Sequence, residues 1–190
     1  SSKLVYRLFT EILGTGKGAR DKRIPSGFVS LPLNKIKHLL SAYFAGDGSV
    51  ETDRLHVTCS SVSRRLLQEI GLKLLRYGIF YRLKHERRPA GGAAKEFYDK
   101  KGESPLFDLH YISIRSSYAR RFSEEIGFAS VRKEAALNSV LSKEGTPRSI
   151  VSGDAILDEI KTVEPTRTEA DYLYDLEVED HHNFLINDFM

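Results

Sequence analysis

Cysteine is nearly absent from this sequence. The single Cys59 excludes an internal disulfide and any cysteine-based zinc site. That fits a reducing, cytoplasmic setting. Methionine is as scarce: the one residue, Met190, stands last, and the chain opens on Ser1. The expectation is a piece of a longer polypeptide. Long apolar runs are missing too. None approaches a membrane span and no signal peptide is visible, so no membrane partner is expected. A large excess of one charge is also lacking. The 29 Lys and Arg stand against 26 Asp and Glu, a formal net charge of +3, with a pI near 8.9. That balance permits nucleic-acid binding without demanding it, so the clustering of basic residues matters more than their sum. No nucleotide P-loop is present, because GxxxxGK followed by Ser or Thr never occurs.

What is present suits a folded protein. With 41% hydrophobic and 29% charged residues, the 190-residue chain can bury a real core in one large or two small domains. Residues 3–13 have a helical pattern in Leu4, Val5, Leu8 and Ile12. Residues 14–27 form a Gly-rich connector in which Lys17, Arg20, Lys22 and Arg23 fall close together. It is either a solvated linker or an arm that contacts phosphate. From Leu33, the residues Ile36, Leu40, Tyr43 and Phe44 recur at helical spacing. The other side of that helix is small: Ser41, Ala42, Ala45 and Gly46. Such a face lets a second backbone approach closely. The helix ends in Asp47 and Gly48, a carboxylate placed where the chain breaks.

Beyond it, Leu55, Val57 and Cys59 alternate with His56, Thr58 and Ser60, the pattern of a half-buried strand. Cys59 reads as core. Ser61 or Ser63 can cap the next helix, whose apolar side holds Leu66, Leu67, Ile70, Leu74 and Leu75. A strand over 80–88 puts Arg82, Lys84, Glu86 and Arg88 on one face. A polar loop at 89–105, a strand at 106–116 of ambiguous alternation and two further helices follow. The tail from 148 is acidic and strand-rich, with strands expected through Ile156, Ile160 and Val163, over 174–178 and over 184–186.

The nonapeptide Leu40-Ser41-Ala42-Tyr43-Phe44-Ala45-Gly46-Asp47-Gly48 resembles the signature motif of LAGLIDADG homing endonucleases. The eighth position, the metal-binding acid of that family, is Asp47; the sixth, often acidic there, is Ala45. A plain amphipathic helix capped by aspartate shares the outline. Lys22-Arg23-Ile24-Pro25 resembles a block that precedes the second of two such motifs in intein-borne endonucleases. Leu173 to Val178, followed by His182-Asn183-Phe184, resembles the penultimate splicing block of inteins. The implied fold class is α+β: a LAGLIDADG half-domain, an antiparallel saddle sheet backed by helices, followed by β-rich C-terminal strands of an intein (Hint-type) splicing domain. The expected boundaries are 1–30 for a helix and basic linker, 31–145 for the half-domain and 146–190 for the splicing segment.

The resemblance implies Mg2+-dependent cleavage of double-stranded DNA within an archaeal-type intein. Phosphodiester hydrolysis needs an activated water and neutralised charge, which carboxylate-held divalent metals supply. Asp47 and the backbone of Gly46 are the expected metal ligands. A second half-domain or a homodimer must give the second acid. Arg132 or Lys133 is the expected basic group at the scissile phosphate. DNA contacts are expected from Lys17, Arg20, Lys22, Arg23, His56, Arg82, Lys84, Arg88 and Arg115. For splicing, His182 matches the block histidine and Asp175 its acid, in partnership with an N-terminal intein segment. No TxxH and no first splicing block occur, so splicing by this chain alone is not expected. Two other classes stay open: a DNA-binding module without cleavage, and a split-intein fragment that binds its N-terminal partner.

Overall fold

In the computed structural model, which describes residues 2–28, 30–89, 91–102, 105–143, 150–152, 155–157 and 162–165, the chain divides into units 1–148 and 149–190. Each is taken by itself. The first unit opens with helix α1, Lys3–Arg7, which runs into one π-helical turn, Leu8–Ile12. The Leu13 N–H reaches the Leu8 carbonyl five residues back, at 2.9 Å. The helical pattern expected over 3–13 is therefore present, widened at its end. Its apolar residues stay open: Leu4 is 78% and Ile12 76% exposed.

Helix α2, Leu33–Asp47, buries Ile36, Leu40 and Phe44 completely. Their three- and four-residue spacing forms one stripe against the core. Strand β1, Gly48–Glu51, follows without a loop. Only glycine permits that junction, since a Cβ on Gly48 would lie 2.4 Å from the Phe44 carbonyl oxygen. Strand β2 is His56–Ser61 and helix α3 is Arg64–Leu75. Of the two candidate caps, Ser63 is the one that holds α3: its hydroxyl accepts from the Leu66 N–H at 3.2 Å. Ser61 instead accepts from the Ser63 N–H. Strand β3 is Arg82–Pro89, and helix α4, Gly92–Asp99, stands where a loop was expected. The stretch Lys95-Glu96-Phe97-Tyr98 tolerates a helix, and Lys95 pairs with Asp99 one turn on. Strand β4 is Leu106–Arg115, followed by helices α5, Ser116–Glu125, and α6, Val131–Val140.

The four strands form one antiparallel sheet in the order β1-β2-β4-β3. Val57 and Cys59 on β2 and Ile112 and Ile114 on β4 are buried on the helix side. Phe44, Phe122 and Phe128 cluster beneath them, with the first two ring centroids 4.7 Å apart. Each such side chain contributes roughly 1.5–3 kcal/mol by leaving water. This α+β architecture, a four-stranded antiparallel sheet packed with helices, agrees with the expected half-domain.

In the second unit, β5, Ile150–Ser152, pairs with β6, Ala155–Leu157. Ile156 lies in β6, but residues 162–165 are not strand and Val163 is 83% exposed, so the strand expected through Val163 stops short of it. The strands expected over 174–178 and 184–186 lie outside the described residues, as do Asp175 and His182. Among the described residues no helix is long and apolar enough to cross a membrane.

Candidate functional site

The end of α2 brings together Asp47, Gly46 and Lys133. Asp47 is exposed at the last helical position. Lys133 comes from the first turns of α6. Its Nζ donates to the carbonyls of Ala45 at 2.7 Å, Gly46 at 3.0 Å and Phe44 at 3.4 Å. A cation there offsets the negative end of the helix dipole and occupies the Ala45 and Gly46 carbonyls, which have no partner within the helix, while the Phe44 carbonyl also accepts from the Gly48 N–H. The ammonium expected near the reacting phosphate thus sits beside the acid, anchored to backbone. Arg132 is exposed next to it on α6.

Behind Asp47, the Tyr43 hydroxyl is buried beside Ser61 and Cys59. Burial pushes it well above the usual tyrosine range, and the neighbouring Cys59 and Asp47 push it the same way. The small face of α2 is half-buried at Ser41 and Ala45 and uncovered at the other two residues. Ala42 and Gly46 are exposed, and a Cβ built on Gly46 would meet nothing within 4 Å.

The register places the expected DNA contacts of the sheet on one face, away from the helices. His56 pairs with Arg115, Arg82 with Ser113, Lys84 with Tyr111 and Arg88 with Phe107. Four cations, Arg82, Lys84, Arg88 and Arg115, share this face with two carboxylates, Glu51 and Glu86. Lys84 Nζ lies 5.8 Å from the Tyr111 ring centre, and Arg88 pairs with Glu86 at 3.3 Å.

His56 departs from expectation. It is 4% exposed and both ring nitrogens are engaged. Nδ1 lies 2.7 Å from Glu51 Oε1, and Nε2 lies 2.8 Å from the Ser113 hydroxyl. Burial lowers its pKa below 6.5, against the opposing pull of Glu51. In the neutral ring, Nδ1–H donates to Glu51 and Nε2 accepts from Ser113. The imidazole ties β1, β2 and β4 together, so no ring nitrogen is free to contact DNA. Glu51 and Ser113 were not foreseen from the sequence. The signal was their alternation within strands, which becomes informative only once the register is known.

The basic connector forms a separate cluster. Lys17, Arg20, Lys22 and Arg23 gather with Arg65 of α3. Arg23 Nε donates to the Gly14 carbonyl at 2.6 Å, and the Ser63 hydroxyl donates to the Lys22 carbonyl at 2.6 Å. The segment is therefore folded against α3, contrary to a solvated linker.

Comparisons with known proteins agree with the α2 motif. Residues 34–127 match the family profile described as a LAGLIDADG-like domain. The chain is 30% identical to a DNA polymerase II large subunit of Thermococcus kodakarensis, over 98% of its own length and 11% of that protein. It is 26% identical to a DNA polymerase of Thermococcus hydrothermalis, over 96% of this chain and 11% of the other. It is 25% identical to an ATP-dependent DNA helicase of Methanocaldococcus jannaschii, over 74% of this chain and 11% of the other. The chain thus spans about a tenth of the length of the curated relatives it matches. No solved structure gives a significant match.

Proposed function

We propose that the LAGLIDADG-like domain is one half of a site-specific endonuclease that makes metal-dependent double-strand breaks in DNA. The observation that carries the reading is Asp47. It is an exposed carboxylate, at the end of a helix with a partly uncovered small face, where the chain enters a cation-bearing sheet.

The fit to Mg2+ is partial. Among the described residues, no group of three or more His, Cys, Asp or Glu could hold a metal ion. The Gly46 carbonyl, the second expected ligand, already accepts from Lys133, so an ammonium stands where a dication would approach. Asp47 fits the ion as half of a shared oxygen-ligand site. The other acid would come from a second half-domain or a second copy of this chain. Bound there, the ion would supply neutralisation of charge at the phosphate and leaving oxygen.

The chain's own residues hold the substrate. Lys133 cancels the negative pole of α2, which would otherwise repel an incoming phosphate. Arg82, Lys84, Arg88 and Arg115 face the duplex from the open side of the sheet and contact phosphates or base edges. His56, clamped by Glu51 and Ser113, keeps that face rigid.

The relatives support an intein as the carrier. Polymerases and a helicase are different hosts, yet each matches over about a tenth of its length. That distribution is the one expected of an inserted element. Asp175 and His182 belong to this proposal on sequence alone, with an N-terminal intein segment as the partner. A second reading, a module that binds DNA without cleaving it, is favoured by the single carboxylate. The deciding experiment incubates the chain, alone and with the half that would precede it, with a DNA library and Mg2+. Sequencing then locates the ends. Cut ends at one sequence support the nuclease. Tight binding with both halves present and no cut ends supports the second reading.

A further inference from the structure

Tyr43 carries a hydroxyl that the packing does not use. Its oxygen is buried, yet it makes no hydrogen bond to any of the described residues. The ring is half-buried and meets Phe44 edge-on, with centroids 6.1 Å apart. Phenylalanine would fill the same place. A hydroxyl that gives up its water without a partner weighs against stability, so packing alone does not account for this one.

Two elements converge on the oxygen. Ser61 continues the inward-facing series of β2 after Val57 and Cys59, and its hydroxyl lies beside that of Tyr43. Ser61 Oγ already accepts from the Ser63 N–H at 3.1 Å, so its own proton can turn to Tyr43 Oη. The Tyr43 proton is then left to find an acceptor. Burial, Cys59 and the charge of Asp47 all raise the pKa of this hydroxyl, so it keeps that proton and stays a donor.

Asp47 is the acceptor that the fold brings near. It follows Tyr43 by four residues on α2, a spacing that stacks two side chains on one helix face. Its Cβ leans back toward Tyr43, because helical side chains tilt toward the N-terminus. Gly48, the next residue, pairs with Cys59, which keeps Asp47 level with the part of β2 that Tyr43 and Ser61 share.

We infer that Tyr43 is a positioning residue for Asp47: its hydroxyl donates, across one bridging water, to one oxygen of the Asp47 carboxylate and leaves the other facing outward. The inference rests on the nuclease reading above. It gives a second task to a residue whose spacing alone places it on the apolar side of α2. An exposed carboxylate at a helix end is otherwise free to rotate. Held by one oxygen, it offers a single oxygen outward, which suits an ion shared between two halves better than a grip by both oxygens of one half. Losing such an outer partner of a metal-binding carboxylate costs about 10–100-fold in metal affinity or activity.

The test compares the wild type, Tyr43→Phe and Asp47→Asn. Each is paired with the half that would precede it, on the DNA that the wild-type pair binds most tightly. The readouts are the melting midpoint, DNA affinity in EDTA, Mn2+ affinity by electron paramagnetic resonance of the free ion, and the Mg2+ concentration that gives half-maximal cleavage. Tyr43→Phe should melt at the wild-type temperature or higher and bind DNA equally well. It should hold Mn2+ about 10–100-fold more weakly and need correspondingly more Mg2+ to cut. Asp47→Asn should lose Mn2+ binding outright. Wild-type Mn2+ affinity in Tyr43→Phe overturns the inference. So does weaker Mn2+ binding accompanied by a lower midpoint or weaker DNA binding, which would make the hydroxyl a structural group. A wild-type pair that binds no DNA or no Mn2+, or full Mn2+ binding by Asp47→Asn, overturns the nuclease reading and the inference with it. That result shows without Tyr43→Phe and is distinct from a failure confined to that variant.

Discussion

Replacing Lys133 by methionine removes one ammonium and keeps most of the stem. In the native chain that ammonium donates to three carbonyls at the end of α2, at 2.7, 3.0 and 3.4 Å. The end of a helix carries roughly half a negative charge, and a partly buried cation there is worth up to about 2 kcal/mol. Lys133 is half-buried, so solvent screens part of this. A loss of about 1–2 kcal/mol follows. In a unit of this size each kcal/mol moves the melting midpoint by about 2–4 °C. Lys133→Met should therefore melt about 2–8 °C lower by circular dichroism. Cleavage should fall by far more than that destabilisation explains, because the negative pole of α2 would then stand uncompensated beside Asp47. A wild-type midpoint with cleavage lost would refute the reasoning: the lysine would serve only the phosphate, and its bonds to α2 would carry no stability. Loss of midpoint with full cleavage would refute the other half.

Three further outcomes are expected. Asp47→Asn should abolish Mg2+-dependent cleavage while the fold and DNA affinity stay nearly intact, since Asp47 is exposed; parallel loss of the circular dichroism signal would contradict this. Ala42→Leu should leave the melting midpoint of the isolated chain unchanged, because Ala42 is exposed, but should prevent association with a second half, read as mass in solution. Burial lowers the pKa of His56 below 6.5, with Arg115 and Arg54 adding to the effect and Glu51 opposing it. Its contribution to stability is thus present above pH 6.5 and lost as pH falls through the lower folded value. Urea midpoints taken from about pH 7 down to about pH 5 should fall less steeply in His56→Gln than in the wild type. A residual slope from His110, also lowered by burial, should remain.

Local periodicity made much of the fold legible. Ile36, Leu40 and Phe44 gave α2 its buried stripe, and Val57 and Cys59 gave β2 its inner face. The same logic failed on β4, where Leu106 to Tyr111 shows no clean alternation. The physical reason lies in its length. Only Ile112, Ser113 and Ile114 of the strand are buried, while the preceding residues remain open or half-open, so no core imposes a pattern on them. Helix α4 was hidden by flanking glycines that read as loop. The features of the site that were missed depend on long-range pairing. His56, held also by Glu51, is tied to Ser113 across 57 residues of chain, and the connector is pinned to α3 across 41 and 45 residues. Composition alone cannot separate a pinned basic loop from a solvated one.

Helix α2 presents two faces, and only one is satisfied within this chain. The stripe of Ile36, Leu40 and Phe44 is sealed against the sheet and α5, with the Phe44 and Phe122 rings 4.7 Å apart. The opposite side carries Lys35 and His38 in its first half and narrows to Ala42 and Gly46, both exposed, in its last turns. An ordinary surface helix would carry charged groups there to hold water. Small residues instead favour close approach of another backbone. The same helix ends in a lone carboxylate whose neighbouring carbonyls Lys133 already occupies. A second helix laid on the small face in matching orientation would bring a second acid to Asp47 and bury the uncovered surface in one step. On the reading proposed above, one partner helix would both complete a shared metal site and cover the exposed part of the helix. Loss of association in Ala42→Leu should accordingly abolish cleavage together with pairing, while Asp47→Asn should abolish cleavage and leave pairing intact.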